Sequence, residues 1–251
     1  MLTRRVIACL EVLDGRVVQK SKFDKVIDVG DPAELSAICS GEGADELVLL
    51  DVSTAQEKRP SFFEMVERAA GRVAIPLSVG GGFLSMDDIV RILSSGADKV
   101  ILNSMLVEDP LLFARAAPMV GPEALVASVR ARRQEKGWVV DVKSGTENTE
   151  LDAIEWAKTL TDCGAGELLV TSVKRDGAIN GYDLDLLREL TWRVNVPVIA
   201  SGGTGGKEEM TDALKIGEAD AVLAPSAISL NELWISELKQ FIASKGLPVR
   251  L

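Results

Sequence analysis

Val196-Pro197-Val198-Ile199-Ala200-Ser201-Gly202-Gly203 reads as a short buried strand that runs into a glycine turn. Ile75-Pro76-Leu77-Ser78-Val79-Gly80-Gly81-Gly82 shows the same pattern 121 positions earlier. A strand that ends in two glycines, made twice, implies two phosphate cradles in two halves of one barrel. Glycine lets backbone N–H groups approach an anion with no Cβ in the way. The helix that follows each turn adds partial positive charge at its N-terminus.

The rest of the chain extends outward from these copies as alternating strands and helices. Val6-Ile7-Ala8-Cys9-Leu10 is an unbroken apolar run ended by Glu11, as in a strand covered on both faces. Asp14-Gly15 is a turn signal, Arg16-Val17-Val18 a brief extension, and 19–30 a polar loop. Further strands are expected at 46–51, 99–104, 125–129 (ending at Arg130), 167–172 and 221–224. Helices are expected from Asp31-Pro32 to about Gly41 or Gly43, over 61–70, from Ser85 to Gly96, and from Asp109-Pro110. Others run from Asp152 to Gly164, from Asp183, and over 207–216 and 232–244. Trp138-Val139-Val140-Asp141-Val142 reads as part of a small extra hairpin.

Alternation at this spacing argues for parallel βαβ units. Internal repeats strengthen it. Gly43-Ala44-Asp45-Glu46-Leu47-Val48 matches Gly164-Ala165-Gly166-Glu167-Leu168-Leu169 at the same offset of 121. Ala97-Asp98-Lys99-Val100 matches Ala219-Asp220-Ala221-Val222 at 122, and Asn103-Ser104 falls opposite Pro225-Ser226. Four βα pairs present twice make an α/β chain with a single (β/α)8 TIM barrel, one domain over 1–251 with half-barrels about 1–121 and 122–251. No linker rich in Gly, Ser and Pro interrupts it. A doubly wound open sheet is the alternative.

Composition narrows the function. A net charge of −10 argues against nucleic-acid or membrane-surface partners. The absence of histidine removes His-based triads, His metal ligands and a His general base. Cys9, Cys39 and Cys163 show no metal spacing and read as reduced thiols of a cytoplasmic protein. No metal and no cofactor is expected. No apolar run reaches the ~18 residues of a membrane span, and Met1-Leu2-Thr3-Arg4-Arg5 leads straight into a strand.

The first cradle is expected to use Gly81, Gly82, Asn103 and Ser104, and the second Gly202, Gly203 and Ser226, with Asp176-Gly177 closing it. Two cradles imply a substrate phosphorylated at both ends.

These residues resemble the cyclase subunit family of imidazole glycerol phosphate synthase, from histidine biosynthesis. The resemblance covers nearly the whole chain. It includes Arg5-Val6-Ile7-Ala8-Cys9-Leu10, Gly30-Asp31-Pro32, Val79-Gly80-Gly81-Gly82, Arg175-Asp176-Gly177, Gly181-Tyr182-Asp183 and Ile199-Ala200-Ser201-Gly202-Gly203. It implies use of ammonia, delivered by a glutaminase partner in a heterodimer, on a bisphosphorylated ribulosyl aminoimidazole carboxamide nucleotide. The products are imidazole glycerol phosphate and an aminoimidazole carboxamide ribotide. It further implies an ammonia gate of Arg5, Glu46, Lys99 and Glu167, partner docking at Asp98, a catalytic set that counts Asp51 with Glu11, Arg130 and Lys174, ordering of the site by Asp51, Asn103 and Ser201, and substrate ordering by Ser144, Thr171 and Ser201. Salt bridges that only plug the barrel bottom are the plainer reading of the four charged residues.

Departures from the family pattern fall on the catalytic positions. The resemblance implies aspartates, as general acid and base, where this chain has Glu11 and Arg130. One extra methylene moves a carboxylate by roughly an ångström, and misplacement on that scale can cost ~100-fold. Arg130 cannot act as a base, because guanidinium stays protonated. The family's loop lysine falls at Gln19, with Lys20 beside it, and Lys174 stands where an acid is expected. Arg130 and Lys174 are read as pairing with Glu11 or binding an anionic group, with a lysine nucleophile at Lys174 as a further reading. Pro225 and one extra residue near Gly205-Gly206 alter the second cradle's surroundings. The function expected is that of the cyclase subunit. The alternatives are a barrel of this family that binds phosphosugars without turnover, one redirected to another reaction, and a related bisphosphate isomerase.

Overall fold

The computed structural model describes residues 3–20, 26–53, 59–82, 85–142, 147–173, 181–202, 206–224 and 235–251. The chain opens with β1 (Arg5–Leu13) and β2 (Arg16–Lys20), joined at Asp14 and Gly15, both at positive φ (54° and 79°). Such a turn twists with the strands it joins. β3 (Val26–Gly30) pairs antiparallel with β2, so part of the expected polar loop is strand. α1 (Pro32–Gly41) follows, then β4 (Glu46–Asp51), α2 (Arg59–Ala70), β5 (Leu77–Gly80), α3 (Met86–Ser94) and β6 (Lys99–Leu102). Strand β6 is shorter than expected, because Ser104 already opens a helix, α4 (Ser104–Glu108), ahead of α5 (Leu112–Val120).

β7 (Leu125–Arg133) continues past Arg130 and turns back through β8 (Trp138–Val142) and β9 (Glu147–Asp152), the antiparallel excursion expected near Trp138. The remaining elements are α6 (Ala153–Asp162), β10 (Glu167–Val173), α7 (Leu184–Arg193), β11 (Val198–Ser201), α8 (Lys207–Lys215), β12 (Ala221–Ala224) and α9 (Ile235–Ser244). The sheet order is β10-β11-β12-β1-β4-β5-β6-β7-β8-β9, and β10 also pairs with β7. The fold is the (β/α)8 barrel, with two antiparallel excursions added after β1 and β7.

Cα packing divides the chain into two compact units. The first comprises Arg5–Val100, Ala224–Ser244 and Val249–Leu251. Within it β1, β4 and β5 run parallel, with Cys9 opposite Val48 and Leu49 opposite Val79. Val6, Ile7, Leu10, Leu47, Leu49 and Leu77 are almost wholly buried, which explains the unbroken apolar runs. Asp31 caps α1 by accepting from the amides of Ala33 and Glu34, and its other oxygen takes a 2.7 Å bond from Arg68 of α2. Ser85 likewise caps α3 through the Asp88 amide.

The second unit comprises Ile101–Leu223, Lys245–Pro248 and the chain start through Arg4. There β7, β10, β11 and β12 run parallel. Asp152 caps α6 and Asp183 caps α7. Asp183 is buried, and it also accepts from Trp138 Nε1 (2.8 Å) and Arg133 (3.3 Å), tying the excursion to α7.

One structural unit recurs before β4, β6, β10 and β12. Each time a residue at positive φ ends the approach: Gly43 (88°), Gly96 (98°), Gly164 (108°) and Glu218 (59°). A buried alanine follows, at 44, 97, 165 and 219. The next residue donates its N–H to the strand alongside: Asp45 to Val6 O (3.0 Å), Asp98 to Leu77 O (2.8 Å), Gly166 to Leu125 O (2.9 Å) and Asp220 to Val198 O (2.9 Å). The three aspartates return the bond, each accepting through Oδ2 from the same residue's N–H at 2.8, 2.8 and 3.0 Å. The fourth copy must be glycine, since a Cβ on Gly166 would lie 2.2 Å from Pro122 O.

Candidate active site

In the first unit the strand starts bring three expected gate residues together. Glu46 opens β4 and is buried, at 2% exposure. Arg5 donates to its Oε2 at 3.0 Å and Lys99 to its Oε1 at 2.8 Å. Ser78 of β5, also buried, donates its hydroxyl to Oε1 at 2.8 Å. One carboxylate thus serves two cations and a hydroxyl, so the charge does not lie bare in the interior. The sequence reasoning missed Ser78, because nothing in a strand's pattern marks one inward serine. Asp98 performs the strand-linking role it shares with Asp45 and Asp220. Asp45 also holds Lys239 of α9 at 2.8 Å, with both side chains buried.

At the other end of these strands Glu11 is half-buried, opposite Leu50 of β4 and Val18 of β2. Asp51 closes β4. Its Oδ1 accepts from the Ser53 amide at 2.9 Å and from the Ser53 hydroxyl. Gly81 packs flush against it: a Cβ there would lie 2.8 Å from Asp51 Cβ. Gly82 is exposed. Gln19 lies on β2 opposite Ile27, with its Oε1 buried and without a hydrogen-bond partner among the described residues.

In the second unit Thr171 stands in register with Arg130 on one side and Ser201 on the other. Neighbours at one level of a parallel sheet face the same way. The three therefore form a polar row across β7, β10 and β11, and all are half-buried. Gly202 follows at φ 84°, and a Cβ on it would sit 2.6 Å from Ser172 O. Only glycine fits where one strand end approaches the next so closely. Asn103 lies between β6 and α4, and Ser104 opens that helix. Glu167 opens β10 and is buried. Ser144, Lys174, Asp176, Gly177, Gly203 and Ser226 lie outside the described residues.

Other groups carry no part of this arrangement. Burial pushes the Cys9 thiol far above its ordinary value, with Glu11 adding to the rise, and pushes Cys39 up to about 11. Asp141 of β8 is fully buried against Arg132, 2.7 Å away. A cleft of about 330 Å³ between α6 and α7, walled by Trp138, Glu155, Arg188 and Arg193, holds none of the cradle residues. Among the described residues no three metal-ligating side chains cluster, and no helix is long and apolar enough to cross a membrane.

Glycine-ended parallel strands, a buried carboxylate network at the strand starts and polar residues at the strand ends are features of a barrel enzyme. Residues 5–233 match the histidine biosynthesis protein family, and the chain belongs to it. Its likeness is more particular than the family. It is 48% identical over 251 residues to "Imidazole glycerol phosphate synthase subunit HisF" of Dehalococcoides mccartyi strain BAV1, covering 100% of this chain and 99% of that protein. The corresponding proteins of strains CBDB1 and 195 match at the same identity and coverage.

Proposed function

We propose that this chain is the cyclase subunit of an imidazole glycerol phosphate synthase in cytoplasmic histidine biosynthesis. The observation that carries the reading is the 48% identity to HisF subunits across the whole length of both chains. Ammonia from a glutaminase partner, in a heterodimer, reacts with the bisphosphorylated ribulosyl aminoimidazole carboxamide nucleotide. The glycine-ended strands support phosphate binding. Gly81 with Gly82 and Asn103 with Ser104 serve one phosphate; Gly202, Gly203, Gly177, Asp176 and Ser226 serve the other.

Glu11 moves the proton, because it is the ionisable acid at the end of β1. Arg130 cannot accept a proton; it and Lys174 neutralise negative charge on the substrate. Asp51, Asn103, Ser144, Thr171 and Ser201 order it. Arg5, Glu46, Lys99 and Glu167 form the ammonia gate, and Asp98 adds to partner docking.

The test is turnover of the bisphosphate nucleotide by the purified full chain with ammonium salt as nitrogen source. Ammonia-dependent formation of imidazole glycerol phosphate is expected. No product at any ammonia concentration, with retained binding of the nucleotide, would replace this reading with a binding-only role.

A further inference from the structure

We propose that Ser53 is a positioning residue that sets the orientation of the Asp51 carboxylate. The proposal deepens the cyclase reading and rests on it. Val52 donates to Val12 O at 2.9 Å, so the chain keeps its ladder contact one residue beyond β4 before it turns. The turn is then made by Asp51 Oδ1 accepting the Ser53 N–H at 2.9 Å. Any residue but proline at 53 supplies that N–H. The hydroxyl, which reaches the same oxygen, is not needed for the turn.

Two restraints therefore act on one side chain. Ser53 fixes Oδ1, and the bare Cα of Gly81 lets the neighbouring strand end press against Asp51 Cβ. The two bonds from Ser53 orient the carboxylate, and the Gly81 approach seats only its Cβ. Oδ2 carries no hydrogen bond among the described residues and is the oxygen left for a substrate hydroxyl or ammonium. A carboxylate at the C-terminal end of a barrel strand, with one oxygen held by both the amide and the hydroxyl of Ser53, is preorganised for such a donor. The serine hydroxyl spends its own hydrogen on this oxygen, so it acts through Asp51 rather than on the substrate.

The experiment is a double-mutant cycle read as kcat and KM for ammonia-dependent turnover. It uses the wild-type chain, Ser53→Ala, Ser53→Thr, Asp51→Asn and the Ser53→Ala/Asp51→Asn double variant. Ser53→Ala keeps the turn and removes only the hydroxyl. Its kcat is expected to fall about tenfold, the effect of one hydrogen bond to a charged group. Ser53→Thr restores most of it, and Ser53→Ala has no further effect in the Asp51→Asn background. Losses that multiply in the double variant, or a Ser53→Ala variant at the wild-type kcat, overturn the role of Ser53 and leave the cyclase reading intact. A wild-type chain without turnover overturns the cyclase reading, and this role with it.

Discussion

Lys99 Nζ stands 2.8 Å from Glu46 Oε1, and Ser78, on the strand next to β4, donates to the same oxygen. Arg5 occupies the other oxygen at 3.0 Å. The charge of this glutamate therefore sits between two cations at the strand starts. Glu46→Gln removes that charge and keeps the shape. It is expected to destabilise the protein toward the lower end of ~3–5 kcal/mol, because Arg5 and Lys99 still reach water. Urea denaturation measures it, and an unchanged midpoint would show that the network contributes nothing to stability.

Glu218 occupies a left-handed position that the other three copies of its unit give to glycine. Its side chain accepts from the exposed Trp192 at 3.0 Å. Glu218→Ala and Glu218→Gly both lose that bond, so their difference reports the backbone alone. The glycine variant is expected to be more stable by ~1 kcal/mol, compared by urea midpoint. Equal midpoints would mean that this φ carries no strain.

Gly81→Ala places a methyl 2.8 Å from Asp51 Cβ. Overpacking of this size costs ~1–3 kcal/mol, which leaves the protein folded. Turnover is expected to fall much further than stability, because the displaced side chain is the one proposed to order substrate. Circular dichroism alongside steady-state kinetics separates the two effects.

The Arg68 hydrogen bond, helped by the cap amides, holds the Asp31 carboxyl below its ordinary value. Its contribution is therefore complete above the usual carboxylate pKa of about 4 and is lost as pH falls through the lowered value. Wild type and Arg68→Gln should differ in urea midpoint at neutral pH, and the gap should close in acid. A gap that stays constant with pH would show that the pair is not ionic in origin.

Thiol reactivity should follow burial. Cys9 and Cys39 are buried with raised pKa values, and Cys163 is half-buried. The thiolate is the reactive form. At mildly alkaline pH a disulfide reagent should modify Cys163 in the native protein, and all three after unfolding. Fast labelling of Cys9 would mean that the first unit opens readily.

Much of this was legible in the chain itself. Asp31, Ser85, Asp152 and Asp183 stand just before apolar-periodic runs, and all four cap the helices they precede. Capping is a local act of one side chain on an amide two or three residues on, so the sequence carries it. Asp51-Val52-Ser53 also has the spacing of a local turn, and attention to that spacing would have found Ser53. Ser78 left no such trace. Its partner is 32 positions away, and only the pairing of β4 with β5 brings the two together.

The repeat shows the same division. Two matches at offsets of 121 and 122 are visible as letters, but the four-fold unit is not, because Glu218 and Gly166 break the spelling. The structure keeps the unit through φ and backbone hydrogen bonds, which no letter records. Strand order, alternation, caps and the glycine-ended turns follow from nearest-neighbour chemistry and periodicity, so the amino-acid order alone decided them. Which side chains share one carboxylate, which strand end presses on Asp51, and which residues stand level with Thr171 depend on register between distant strands. A shift of one residue turns every side chain to the other face, so only the tertiary structure could decide them.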